Sequence, residues 1–79
     1  MTSESHETLD CLGIYCPEPL FQTREAIDNL RPGQVLEMLA DDPAAEEDIK
    51  RFVKRTGHEL ISYESLDDGV QRFLIRKKE

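Results

Sequence analysis

The residues of this chain that could do chemistry are two cysteines, Cys11 and Cys16, five positions apart. A cysteine acts as a nucleophile through its thiolate, whose reactivity depends on the local charge and on access. Cys16 begins the segment Cys16-Pro17-Glu18-Pro19, and the apolar residues that follow have helical spacing. The sequence therefore predicts a cysteine at the N-cap of a helix.

Two prolines change the hydrogen bonding at this predicted helix start. Pro17 would occupy N1, where its missing amide costs nothing, but Pro19 at N3 removes one of the two amides that a capping side chain uses. The helix N-terminus favours a thiolate, whereas Glu18 at N2 opposes it by like-charge repulsion. We therefore expect a modestly activated Cys16 thiol, held outward by a rigid start. The alternative is that Cys16 is only a structural cap.

Cys11 and the two histidines have simpler interpretations than chemistry. A disulfide between Cys11 and Cys16 is conceivable, but Cys11 is more simply a small apolar strand residue. A zinc site built from His6, His58 and the cysteines would lack the usual close ligand spacing, so we expect no metal and no cofactor. His58 is expected at the C-terminal end of a helix, where a cation is favoured.

The segments that must position these residues alternate between two periodicities. Period-two segments predict strands, and spacings of three and four predict helices. Asp42 followed by Pro43 suggests an N-cap and N1 pair, Gly57 a left-handed helix end, and "LDDG" a hairpin turn. The predicted strands cover residues 7–13, 34–40, 58–65 and 70–77. The first predicted helix begins at Pro17 and is stopped by Pro32-Gly33, and its inward residues are Leu20, Thr23, Ile27 and Leu30. The second predicted helix has Ala45, Ile49, Phe52, Val53 and Thr56 inward.

This βαβαββ order predicts an α+β fold. The economical arrangement is a two-layer α/β sandwich in which a four-stranded mixed sheet carries both helices on one face. A chain of 79 residues has a core for one domain only. We assign that domain to residues 7–78 and expect residues 1–6 to be disordered.

Charge and hydropathy restrict the function classes. The chain has 10 basic and 17 acidic residues and a net charge of −7, which argues against direct, stable binding to nucleic acid or to an anionic membrane. No apolar run could span a bilayer, and the N-terminus carries no signal-peptide pattern. We expect a cytoplasmic protein with reduced thiols.

One group of basic residues could still dock a partner. The segment "KRFVKR" places Lys50, Arg51, Lys54 and Arg55 on the solvent side of the second predicted helix. Together with basic residues of the last strand they could form a basic docking face for an acidic partner, or for tRNA held by that partner. An ordinary solvated helix face is the alternative. The last-strand residues are Arg72, Arg76, Lys77 and Lys78.

Over residues 8–77 the sequence resembles a known family. The segments "LDCLGIYCPEPL", "LRPGQVLEMLADDPAAEEDI" and "GHEL" are similar to those of the TusA/SirA-type (YhhP-type) sulfur carriers. That family is marked by a Cys-Pro-x-Pro motif opening the first helix. Cys16, Pro17 and Pro19 match the motif, and Glu18 fills its variable position.

The resemblance implies a sulfurtransferase-type carrier that acts with partner enzymes. Cys16 would accept a sulfane sulfur as a persulfide from a cysteine desulfurase or a rhodanese-like donor. It would then pass this sulfur to a downstream acceptor protein, such as a DsrE-like one, for tRNA 2-thiouridine formation, sulfur oxidation or cofactor assembly. A monomer suits a carrier that meets several partners. The alternative function is a non-catalytic binding or regulatory module.

Overall fold

The elements follow the predicted βαβαββ order. A computed structural model describes residues 6–14 and 18–78 of the chain. The elements are β1 (His6–Cys11), α1 (Glu18–Asp28), β2 (Val35–Ala40), α2 (Ala45–Thr56), β3 (Glu59–Ser65) and β4 (Gln71–Arg76), with a 3₁₀ turn at Asp67–Gly69. Because β1 begins at His6 and residues 1–5 lie outside the described residues, disorder at the N-terminus stays a prediction.

The four strands form one mixed sheet in the order β1-β2-β4-β3. β1 and β2 are parallel, with Cys11 opposite Ala40, and β4 is antiparallel to both of its neighbours. The crossovers from β1 to β2 and from β2 to β3 move in the same direction across the sheet, with β4 filling the position between β2 and β3. Because both are right-handed, their helices cover one face. The register of β3 against β4 shifts between Leu60 and Ser62, so Ile61 is an extra residue in that strand.

The hydrophobic core lies between the sheet and the two helices that cover one of its faces. Alternate residues of the central strands point into it, and the buried stripe of α2 is the predicted one except for half-buried Thr56. Thr23 of α1 is fully buried and its hydroxyl lies 3.2 Å from the sulfur of Met38. The core residues are Cys11, Ile27, Leu30, Leu36, Met38, Ala40, Ala45, Ile49, Phe52, Val53, Phe73 and Ile75.

Helix boundaries differ from the predicted ones at the end of α1 and at the start of α2, and the strand ends differ by up to two residues. α1 ends at Asp28 instead of continuing to Pro32, because the chain tightens there into a 3₁₀-type turn in which the Leu30 amide donates to the Ile27 carbonyl at 3.0 Å. α2 begins at Ala45, so Pro43 is not its first residue. Asp42 instead caps the preceding turn, where its carboxylate accepts the Ala44 amide at 3.0 Å.

The predicted turn residues at the two remaining junctions are confirmed. Gly57 ends α2 with a φ of 89°, and its amide donates to the Val53 carbonyl. Asp68 and Gly69 both have positive φ, 62° and 76°, and the Val70 amide donates to the Asp67 carbonyl at 3.2 Å. This is the geometry of a type I′ turn, whose twist matches that of the two strands it joins.

Candidate functional site

The loop that leads to Cys16 lies at one edge of the sheet. Because β1 and β2 are parallel, their carboxyl ends meet there, and both helices begin from the loops that follow. The β3–β4 hairpin reaches the same edge, since Gln71 pairs with both Ala40 and Ser65. The fold therefore gathers three loops beside the start of α1.

Two aspartates hold the described part of the β1–α1 loop. The Asp10 carboxylate accepts the Leu12 amide at 2.9 Å, and the Ile14 amide donates to the Cys11 carbonyl at 3.2 Å. Asp41, which directly follows β2, accepts the Gly13 amide at 3.0 Å. Because Asp41 is distant in sequence, this bond fastens the loop to the neighbouring strand, three residues before Cys16.

Cys16 and Pro17 lie outside the described residues, as do the side chains of Glu18 and Pro19. The predicted N-cap and N1 positions fall on that gap, so the capping geometry stays a prediction. The described helix begins at Glu18, two residues after the cysteine. Ile14, two residues before the cysteine, is half-buried.

Cys11 is a buried core residue. Its side chain has no exposed surface, and its Sγ lies 3.8 Å from the Gln22 side-chain oxygen beneath α1. Burial and the nearby Asp10 carboxylate both raise the pKa of the Cys11 thiol. A buried thiol that resists ionisation is a poor nucleophile. The interpretation of Cys11 as a small apolar strand residue is therefore the one the structure supports.

Carboxylates dominate this edge of the molecule. The loop segments 10–14, 41–48 and 66–71 contain no Lys, Arg or His. The acidic residues that they contribute are Asp10, Asp41, Asp42, Glu46, Glu47, Asp48, Asp67 and Asp68. Any anion formed at this edge is favoured by two helix N-termini and opposed by these carboxylates.

A polar contact network also anchors the start of α2 to the sheet. Gln71, at the first position of β4, is buried and donates from its side-chain amide to the Asp42 carbonyl at 2.8 Å. The Tyr63 hydroxyl donates to the oxygen of the same Gln71 amide at 3.1 Å. Sequence reasoning did not single out Gln71, because a glutamine at the start of a strand is ordinarily exposed. Nothing in the sequence of the neighbouring hairpin turn indicates that Gln71 contacts Asp42.

The basic side chains do not form one continuous face. Arg72 and Arg76 alternate along β4 with buried Phe73 and Ile75, so they project from the sheet face opposite the helices. Arg72 pairs with Glu37 and Glu64, and Arg76 pairs with Glu59. The predicted joining of these arginines to the α2 basic residues is therefore wrong, because the strand alternation turns them away.

The four α2 residues are exposed as predicted. Lys50 pairs with Glu46 at 2.6 Å, and Arg51 lies 3.8 Å from Asp48. Lys54 and Arg55 form no ion pair with any described residue. Half of this group therefore has its charge already matched along the helix.

His58 does not behave as the expected cation. Its Nδ1 accepts the Lys78 amide at 3.0 Å, which requires an unprotonated nitrogen. Partial burial and the charges of Lys78 and Lys77 lower the pKa of the His58 imidazole. The cations at the helix ends are instead the two lysines: Lys78 Nζ donates to the Thr56 carbonyl at 2.8 Å, and Lys77 Nζ to the Leu30 carbonyl at 2.7 Å.

The described part of the chain contains neither a metal-binding cluster nor a membrane-spanning helix. Among residues 6–14 and 18–78, no group of three or more His, Cys, Asp or Glu side chains could hold a metal ion. Within the same part of the chain, no helix is long and apolar enough to cross a membrane.

Comparisons with known proteins agree on one family. The family model described as "Sulfurtransferase TusA" matches residues 7–77. A protein of Archaeoglobus fulgidus named "Putative sulfur carrier protein" is 52% identical over 68 residues, which cover 86% of this chain and 88% of that protein. The crystal structure of a SirA-like protein from Desulfitobacterium hafniense superposes with a TM-score of 0.81 at 27% identity, covering 91% of this chain and 97% of that one.

Proposed function

Because this chain belongs to the TusA family of SirA-like sulfur carriers, we propose that it carries a sulfane sulfur as a persulfide on Cys16. The family match over residues 7–77 is the observation that carries this proposal. The match includes the Cys16-Pro17-Glu18-Pro19 segment between the β1 loop and α1. The only other cysteine, Cys11, is fully buried, so Cys16 is the candidate for exchange with a partner.

The proposed chemistry is two sulfur exchanges that leave the carrier unchanged overall. The Cys16 thiolate attacks the terminal sulfur of a donor persulfide, and the donor's cysteine leaves with the electron pair of the broken sulfur–sulfur bond. An acceptor thiolate then attacks the terminal sulfur on Cys16 and releases the Cys16 thiolate. Each step forms one sulfur–sulfur bond and breaks one, so neither step needs an oxidant, a metal or a cofactor.

The residues around Cys16 have positioning roles in this proposal. Pro17 and Pro19 stiffen the helix start, and Glu18 adds a negative charge beside the thiol. The Asp41–Gly13 hydrogen bond limits how far the loop before the cysteine can move. We therefore propose that the loop and the helix start contribute mainly by holding the Cys16 sulfur in position for a partner, and less by making its thiol more reactive.

We propose partners on the same grounds. The donor is a cysteine desulfurase or a rhodanese-like protein, and the acceptor is a DsrE-like protein serving tRNA thiolation, sulfur oxidation or cofactor assembly. The carrier acts as a cytoplasmic monomer with partner enzymes and without stable nucleic-acid binding of its own. The net charge of −7 supports this last point.

Docking by the α2 basic residues Lys50, Arg51, Lys54 and Arg55 is a separate proposal. All four side chains are exposed, and Lys54 and Arg55 have unmatched charge among the described residues. In a double Lys50→Glu, Lys54→Glu variant, we expect slower sulfur transfer at low salt and a smaller difference at high salt. Unchanged transfer at low salt would exclude docking through these residues.

Intact mass spectrometry tests the persulfide proposal. The protein is incubated with cysteine and a cysteine desulfurase, or with a rhodanese and its sulfur donor, beside Cys16→Ser and Cys11→Ala variants. Alanine is used at position 11 because a serine hydroxyl would be buried there without water. We expect one added sulfur atom, removable by reductant, in the wild type and in Cys11→Ala but not in Cys16→Ser. If neither donor adds sulfur, the carrier proposal fails and the binding-module interpretation takes its place.

A further inference from the structure

A groove of about 450 Å³ lies between the two helices. Leu20 and Phe21, three and four residues into the described part of α1, line one end of it, and His58 and Lys78 line the other. Phe52 of α2 also lines the groove and is almost fully buried. The groove thus follows α1 from its first described turn toward the opposite end of the sheet.

The groove carries the most exposed large apolar side chain in the described part of the molecule. Phe21 is 58% exposed, compared with 43% for Leu66, the next highest value. Leu20 is half-buried beside it, packed against the core. An exposed aromatic ring next to apolar side chains in a concave surface is typical of an interaction site.

The charges around this apolar surface are mainly positive. Arg24 and Arg55 line the groove, and neither forms an ion pair with any residue in the described ranges. The lysine ammonium groups are already engaged with carbonyls at the helix ends. Asp28 is the one carboxylate that lines the groove. The two arginines therefore provide local positive charge that is free for a ligand, on a chain whose net charge is −7.

We propose that this groove docks an acidic segment of a partner protein. An apolar side chain of that segment packs on the Phe21 ring, and carboxylates on either side of it pair with Arg24 and Arg55. An acidic peptide fits better than a nucleic acid, because the acidic chain repels a long polyanion while a short segment meets only the local positive charge. Arginine also binds carboxylates in a bidentate way that gives geometric specificity.

Binding in this groove requires the folded protein but no sulfur chemistry. Docking can therefore be measured on the Cys16→Ser variant, so that a failure of docking is distinguishable from a failure of sulfur transfer. A partner held along α1 would contact the first described turn of that helix, which follows the Cys16 segment directly in sequence.

The test is a titration of ¹⁵N-labelled Cys16→Ser protein followed by NMR. The probe is a blocked synthetic peptide, Glu-Glu-Leu-Glu-Glu, and the control peptides replace glutamate by glutamine or leucine by glycine. We expect saturable shifts at the Phe21, Arg24 and Arg55 amides and at the His58 imidazole. Both control peptides should bind about tenfold more weakly or worse.

Matched variants separate the groove from general surface effects. Arg24→Glu with Arg55→Glu should weaken peptide binding about tenfold or more, and Phe21→Ala should weaken it severalfold. Arg31→Glu makes the same charge change outside the groove, and Leu66→Ala removes another exposed apolar side chain, so both should bind as the parent does. Absence of saturable shifts, equal binding of the glutamine peptide, or tighter binding of a short oligonucleotide at the same residues would each overturn the proposal.

Discussion

Removing the Asp41 carboxylate should loosen the loop that leads to Cys16. Asp41 follows β2, and its carboxylate accepts the Gly13 amide at 3.0 Å across the edge of the sheet. Asp41→Ala deletes this acceptor and leaves the amide to water. Asp41→Asn keeps an oxygen that can accept the same amide and removes only the charge, so the pair of variants separates the hydrogen bond from the charge.

The size of the effect follows from the exposure of the two groups. A hydrogen bond to a charged group contributes about 1.5–3 kcal/mol when it is well protected, but Gly13 is exposed and Asp41 half-buried. Because water replaces part of this bond, we expect Asp41→Ala to lower the free energy of unfolding by about 1 kcal/mol. In a domain of this size that loss corresponds to a melting temperature lower by about 4–8 °C. Asp41→Asn should lose about half as much.

Two measurements check this prediction, and a third variant serves as the control. Thermal unfolding followed by circular dichroism gives the stability, and amide hydrogen exchange at Gly13 reports the local bond, with faster exchange expected in Asp41→Ala. Asp67→Ala removes the same charge at the same edge without losing a described side-chain contact, so its stability should stay within about 0.5 kcal/mol of the wild type. An unchanged melting temperature together with unchanged Gly13 exchange in Asp41→Ala would refute the reasoning.

Three further predictions concern the core and the far end of the sheet. In Cys16→Ser protein, Cys11 should react with a thiol reagent only as fast as the protein opens, and rapid labelling of the folded form would contradict its burial. Phe73→Ala should lower the free energy of unfolding in urea by about 3–5 kcal/mol, because Phe73 is fully buried between sheet and helices. The folded state lowers the pKa of His58 below its unfolded value, so unfolded chains bind more protons and stability should fall as the pH drops below about 6.5. His58→Asn, which keeps an acceptor for the Lys78 amide, should show a smaller fall over that range in pH-dependent urea unfolding, and parallel curves would contradict the assignment.

The elements were predictable because each has its own local signal. The helical spacing of Ile49, Phe52 and Val53 places all three in the core. Asp68 and Gly69 adopt the positive φ values that the tight turn between β3 and β4 requires. These features depend on neighbouring residues and on a fixed period, so a single sequence contains them. The boundaries were less accurate, since the start of α2 depends on the extra turn at Asp42.

The contacts that build the site could not be predicted, because they join residues distant in sequence. Asp41 directly follows β2 in sequence, but its bond to Gly13 follows only from the parallel register of β1 and β2. The position of Arg72 on the far sheet face likewise follows from which residues of β4 turn inward. The groove beside Phe21 arises where two helices meet, and neither helix sequence shows it alone.

The carboxylates in the loops around the start of α1 affect how reactive a thiol on Cys16 would be. Glu18 is two residues from Cys16 in sequence, and the Asp10 and Asp41 carboxylates bind the described part of the loop before Cys16. We therefore expect these charges to offset most of the stabilisation that the helix N-terminus gives to a thiolate. For a thiol that titrates above the ambient pH, each pKa unit upward cuts the thiolate fraction about tenfold, but it makes the remaining thiolate about threefold more nucleophilic. The net loss of about threefold per unit is small compared with the gain from holding two sulfur atoms in contact, since effective molarities can reach about 10⁵ M. For the proposed sulfur transfer, a surface that docks the partner would therefore matter more than activation of the thiol, which is why the groove along α1 is the feature to alter next after Cys16 itself.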